Sequence, residues 1–244
     1  MEVLSGLGVD ILASALSAGF GFGIARLLDY RRKRRKLGHV LALLGSSKSI
    51  TIVFTPGITE SVTGVPENAV RMSLVEGAAI ARIGQICRDA RPGTEMSLIH
   101  PDEHSPNRGP FVMVGDPSRS AWSSNWIDKH FPQLEFRPDR RRLDYDNASW
   151  ETGMRNNVVE QDFGFIMVGR TENSVRFVLL WGASEFGTNI AARAFADLHH
   201  FLRREDYGAV VDGEARFFVA RAEVERYGVR TDGVSVPGQY KARH

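Results

Sequence analysis

The chain holds a single cysteine, Cys87, among 244 residues. No intrachain disulfide can form, and a reducing compartment is the simpler expectation. Excess charge of one sign is missing too. The formal net charge of +2 is too small to argue for nucleic acid, and no nucleic-acid partner is expected. Metal-ligand spacing is also lacking. His100-Pro101-Asp102-Glu103-His104 sets carboxylates between two histidines, but Pro101 prevents a regular ligand-bearing helix and no further His or Cys cluster completes a site. The stretch reads as a solvated loop, and neither metal nor cofactor is expected.

Two phosphate-binding motifs fail on inspection. Gly45-Ser46-Ser47-Lys48-Ser49 resembles a P-loop tail, yet it lacks the glycine before the lysine and precedes its strand. It reads as a linker. Gly19, Gly21 and Gly23 mimic part of a dinucleotide fingerprint, but no strand comes before them.

One long apolar run is present. From Val3 to Leu28 only Asp10 and Arg26 interrupt apolar or small residues. At about 1.5 Å of rise per residue this matches a bilayer's hydrocarbon core. The basic run Arg31-Arg32-Lys33-Arg34-Arg35-Lys36 follows at once, while the other flank carries Glu2. The positive-inside rule then places the C-terminal body in the cytoplasm. A secretory signal peptide would carry its charge before the apolar run. An interfacial helix would show a polar stripe, but between Ile11 and Ala25 only serines break the apolarity. The remaining alternative is a buried helix of a soluble domain, since the run is rich in Ala, Gly and Ser. The expected layout is a single transmembrane anchor over 1–30, a basic juxtamembrane linker over 31–48, a cytoplasmic Rossmann-like α/β domain over 49–228 and a tail over 229–244. The chain is expected at the cell membrane, with the lipid bilayer as partner. Gly19 and Gly23 form a G-x-x-x-G pair, which suggests a homo-oligomer through the anchor helix.

In the body, Ser49 to Phe54 is β-branched and apolar, a first strand ended by Thr55-Pro56-Gly57. Ile58 to Val65 reads as a polar loop. Pro66 suits the first turn of a helix running to about Arg88, with Val70, Leu74, Ala78, Ala81 and Cys87 facing inward. Met96 to Ile99 and Leu134 to Phe136 read as short strands, and Pro138 to Trp150 as a solvated polar loop. Lipid headgroups are an alternative partner for Arg140, Arg141 and Arg142 in it. Asp162 to Gly169 and the run from Arg176 read as an antiparallel hairpin. Tyr207 to Val211 and Ala215 to Arg226 read as two strands joined by Asp212-Gly213. Val229 to His244 reads as a loosely ordered tail.

Two strand–turn–helix units stand out. Pro110 to Val114 leads into Gly115-Asp116-Pro117-Ser118-Arg119-Ser120 and a helix with Trp122, Trp126, Ile127 and Phe131. Phe177 to Trp181, apolar enough to be buried on both faces, leads into Gly182-Ala183-Ser184-Glu185-Phe186-Gly187-Thr188-Asn189 and a helix with Ile190, Ala191, Ala194, Phe195 and Leu198. The fold class is therefore α/β: a Rossmann-like, mostly parallel sheet flanked by helices. In a parallel sheet both turns lie on one edge, where α/β folds place ligands. Their backbone N–H groups and helix N-termini favour an anion.

The candidate ligand-binding residues are Thr55, Gly115, Asp116, Ser118, Arg119, Gly182, Ser184, Glu185, Gly187, Thr188 and Asn189. This is a hydrogen-bonding set more than a reactive one. An acyl hydrolase fails, because G-x-S-x-x-G is one residue too long for a nucleophile elbow and a later histidine is poorly supplied. The expected function is a membrane-anchored cytoplasmic ligand-binding regulator or effector, with a nucleotide-like small molecule as the candidate ligand. One alternative is a nucleotide-processing hydrolase with Glu185 or Asp116 as acid or base. Another is a non-catalytic structural or interaction protein.

The pattern Asp162-Phe163-Gly164-Phe165-Ile166, then Phe177 to Gly182, then Phe186-Gly187-Thr188 with an Ala-rich helix, resembles a group of uncharacterised bacterial proteins with a Rossmann-like domain, some of them membrane-tethered. The resemblance covers roughly the last third of the chain. It implies a Rossmann-like fold and a pocket lined by Gly182, Gly187 and Thr188, and brings no known activity.

Overall fold

The apolar strands read from the sequence meet in one mixed sheet with the order β11-β10-β8-β9-β3-β1-β2. The structure, a computed structural model, describes residues 21–29, 31–32, 35–55, 73–156, 158–225, 228–230 and 233–242. The residues up to 20, the loop expected over Ile58 to Val65 and the helix start at Pro66 lie outside them. Four strands form a parallel core: β1 (Ser49–Thr55), β2 (Glu95–Ile99), β3 (Phe111–Gly115) and β9 (Arg176–Gly182). Beyond β9 the sheet continues antiparallel. The long strand β8 (Val158–Arg170) pairs with β9, as the hairpin reading expected, and then with β10 (Arg216–Glu225). The short strands β7 (Gly153–Arg155) and β11 (Gly228–Val229) pair with β8 and β10.

Strand side chains alternate between two buried faces. Val112, Val114, Val178, Leu180, Ile166 and Phe218 point into an aliphatic layer. It is covered by α1 (Gly38–Leu44), α2 (Leu74–Ala90), α4 (Glu185–Ala196), the short α5 (Leu198–Phe201) and α6 (Arg204–Asp212). Phe111, Met113, Phe177, Leu179, Trp181, Phe165 and Phe217 point the other way, into an aromatic layer. That layer lies beneath α3 (Ala121–His130) and a small antiparallel sheet of β4 (Leu134–Arg137), β5 (Arg142–Tyr145) and β6 (Ala148–Glu151).

Four local expectations are corrected. The stretch from Pro138 to Trp150 is not a solvated loop: Leu143, Tyr145 and Trp150 alternate inward from β5 and β6 onto the aromatic face. Tyr207 to Val211 is helical, because Asp212-Gly213 is a helix stop and not a hairpin turn. Gly213 takes the left-handed C-cap conformation after α6. Within the expected tail, Ser235–Lys241 is a strand, β12, pairing antiparallel with β10. The inward face of α2 is rotated: Leu74 is 94% exposed, while Ala79, Ile83, Ile86 and Cys87 are buried.

No helix among the described residues is long and apolar enough to cross a membrane. Most of the expected anchor lies before them. Of its last turns, residues 21–29 are helical and every one is exposed, Phe22 at 69%.

Candidate functional site

The parallel register brings the two expected turns to one edge. Thr55 at the end of β1 lies beside Gly115 at the end of β3, and Val114 lies beside Leu180, two residues before Gly182. The predicted convergence of Thr55, Gly115 and Gly182 is therefore present.

What occupies the edge is the protein itself. A Cβ on Gly182 would sit 2.3 Å from the Gly187 carbonyl carbon, and one on Gly187 would sit 2.1 Å from the Phe163 carbonyl oxygen. Gly164 makes a third close approach, its Cβ position 2.3 Å from the Ala191 nitrogen. The first turn of α4 thus lies directly on the backbones of β8 and β9, and these glycines permit helix-on-sheet contact.

The buried N-terminus of α4 has a partner that sequence reasoning missed. Asp162, with none of its surface exposed, accepts from Ser184 Oγ at 2.6 Å and Thr152 Oγ1 at 2.8 Å. The backbone N–H groups of Phe163 and Gly187 also reach it. Burial pushes this carboxyl above the usual carboxylate range while the four donors pull it down. The anion-favouring end of α4 is filled by an internal carboxyl group. The one available signal was a charged residue at the head of the run Phe163 to Val168, which must find donors when buried.

Most of the remaining residues are similarly engaged. Ser184 caps α4, accepting from Phe186 N–H. Thr188 and Asn189 are buried, and Asn189 Nδ2 donates to the Val75 carbonyl at 3.4 Å, facing α2. Thr55 Oγ1 donates to the Val114 carbonyl. Gly115 has φ +105°, and a Cβ there would lie 2.1 Å from the Thr55 carbonyl oxygen, so this turn requires glycine. Asp116 accepts from Ser118 N–H and Oγ, closing the turn. Arg119 and Glu185 are exposed. The carboxyl of Glu76, buried at the start of α2, is raised by burial and further by neighbouring Glu185. Trp181, at the end of β9, has a buried indole N–H without a partner among the described residues.

For a metal, the nearest arrangement among the described residues is Asp197, His199 and His200, whose ligand atoms lie within 4.8 Å of one another. A cation is already there: Lys36 Nζ stands 3.2 Å from Asp197 Oδ1.

No protein-family model matches this chain, and no curated protein matches its sequence. Function therefore has to be argued from the site.

Proposed function

We propose that the chain is a membrane-tethered ligand-binding module, with a Rossmann-like body on the cytoplasmic side of its anchor. One observation carries the tether. Phe22, Ile24, Leu27 and Leu28 project from exposed helical turns, continuous with the apolar run from Val3 and followed by Arg31, Arg32, Arg35 and Lys36. Large apolar side chains left exposed together on a helix call for an apolar surrounding, and a bilayer supplies it. The basic end is fastened to the body: Tyr207 Oη donates to the Arg35 carbonyl, and Lys36 pairs with Asp197. This would hold the body next to anionic headgroups.

The ligand is a small nucleotide-like molecule received at the turn after β3. With the N-terminus of α4 taken by Asp162, a phosphate would be met by exposed Arg119. The hydrolase alternative draws support from Glu76, raised by burial and by Glu185, since a raised carboxyl is suited to acid catalysis.

The test is carbonate washing of membranes from cells expressing the full-length chain. Retention in the pellet is expected, and release into the soluble fraction overturns the tether. A thermal-shift panel of nucleotides on the same chain checks the ligand. Stabilisation lost in Arg119→Ala supports it. Turnover lost in Glu185→Gln would favour the hydrolase instead.

A further inference from the structure

A sizeable cavity lies away from the glycine turns. It has a volume of about 490 Å³ and lies at the opposite edge of the sheet, where β3 and β9 begin. This is within the usual range for small-molecule sites. Its walls come from three places: the loop before β3 (Pro106, Asn107), one side of α3 (Trp122, Asn125, Trp126, Lys129, His130) and the β8–β9 turn (Arg170 to Asn173).

The chemistry of the walls is selective. Trp122 is only half-buried, held edge-on against Phe111 and Phe177 with ring centroids 5.2 and 4.9 Å away. Trp126 is locked behind it, its Nε1 donating to the Arg170 carbonyl at 3.2 Å. The charges are largely spent within the protein. Lys129 Nζ pairs with Glu172 at 3.0 Å, and the Arg170 guanidinium donates to the Asp212 carbonyl. Asn107, Asn125 and Asn173 are exposed, and no described residue is hydrogen-bonded to their side-chain amides.

A ligand for these walls needs an apolar face to lie on indole and hydroxyl groups that both donate and accept, as amides do. It should carry no net charge, because a phosphate or carboxylate would have to part Lys129 from Glu172. A neutral pyranose meets all three conditions: its ring C–H groups form the apolar face and its hydroxyls reach the amides. We propose that this cleft binds a neutral sugar ring, a site separate from the glycine-turn edge and independent of the tether.

The experiment is saturation-transfer NMR on the full-length chain, in lipid nanodiscs and free of maltoside detergents. The probes are glucose, galactose, N-acetylglucosamine and cellobiose, with AMP and a proline-rich decapeptide as comparators. At least one saccharide is expected to receive saturation and to quench tryptophan fluorescence. The Asn125→Ala/Asn173→Ala double variant should weaken it at least tenfold with unchanged thermal unfolding. Trp122→Phe should retain part of the binding that Trp122→Ala removes. The proposal is overturned if no saccharide binds, if saccharide binding survives the double asparagine variant unchanged, or if AMP or the peptide alone binds in a way that variant abolishes.

Discussion

The two ends of the parallel sheet are built on opposite plans. At the end of β9 the chain closes on itself, since α4 touches the strand backbones and Asp162 fills its N-terminus, which leaves only the turn after β3 to meet a ligand. At the starts of the same strands no motif stands out, yet a cavity of about 490 Å³ opens there between α3 and the β8–β9 turn. A strand–glycine–helix pattern therefore reports how closely a helix can approach a strand. Whether the approach leaves room for a ligand depends on what else reaches the helix end. Here a carboxyl from a third strand does so.

The largest expected effect tests the closed end. Gly187→Ala would drive a Cβ to 2.1 Å from a backbone oxygen, and Gly182→Ala to 2.3 Å from a backbone carbon. Backbone cannot rotate out of the way as a side chain can. Each should lose more than about 3 kcal/mol or fail to fold. Gly208, in α6, has no described residue within 4 Å of its Cβ position, so Gly208→Ala should gain up to about 1 kcal/mol. Urea midpoints compare the three. A mild loss at Gly187 would mean that α4 stands off the sheet and leaves space for a ligand.

That contrast also marks what the sequence discloses. The strands β1, β3, β8 and β9 were legible because apolar runs bounded by glycine or proline admit few other readings. So was the convergence of the turns, since parallel neighbours must end on one edge. The aromatic layer was less so. Arg142-Leu143-Asp144-Tyr145 and Ala148-Ser149-Trp150-Glu151 do alternate, but four-residue strands crowded with charge look like loop until Leu143, Tyr145 and Trp150 are seen on the sheet. Asp162 was hidden because its donors, Thr152 and Ser184, lie 10 and 22 residues away along the chain. The cleft is a gap between three segments, and no local pattern encodes a gap.

On the other face of the same edge only a small cavity of about 20 Å³ remains, beside His39, and pH can test that difference. His39 of α1 is buried there, with Nε2 donating to the Phe195 carbonyl at 2.7 Å and Nδ1 facing Tyr207 Oη at 3.1 Å. Burial lowers its pKa from 6.5 to about 4. A base depressed in the fold contributes stability that is present above its unfolded value and lost as pH falls through the folded one. Stability should therefore drop by about 3 kcal/mol between pH 6.5 and 4. In His39→Gln this limb should flatten. A wild-type curve with no such limb would show that water reaches this face as well.

Asp162 gives the next effect, and its sign is opposite. Asp162→Ala strips the acceptor from Ser184, Thr152 and the Gly187 N–H, for an expected loss of about 2–3 kcal/mol. Because its pKa is raised by burial, its contribution is fullest below the ordinary Asp value of about 3.9 and declines as pH rises through the folded value. Asp162→Asn should remove that decline. If Asp162→Ala were neutral in urea unfolding and let the chain bind free phosphate, the N-terminus of α4 would be an anion site after all.

The smallest effect belongs to the rim of the open end. Lys129 and Glu172 span the cleft from α3 to the β8–β9 turn as an exposed pair, and such pairs add at most about 1 kcal/mol. Lys129→Ala and Glu172→Ala should each change the free energy of unfolding, read from urea curves, by less than about 0.5 kcal/mol. Their effect on ligands should be the informative one. Removing Glu172 releases Lys129 and gives the cleft an unpaired cation, so Glu172→Ala should admit anionic sugars, such as glucose 6-phosphate, that wild type excludes. Lys129→Ala should not. If both variants bound glucose 6-phosphate no better than wild type, the pairing of charge at the rim would not be what sets the cleft's preference, and the contrast between the two ends would rest on shape alone.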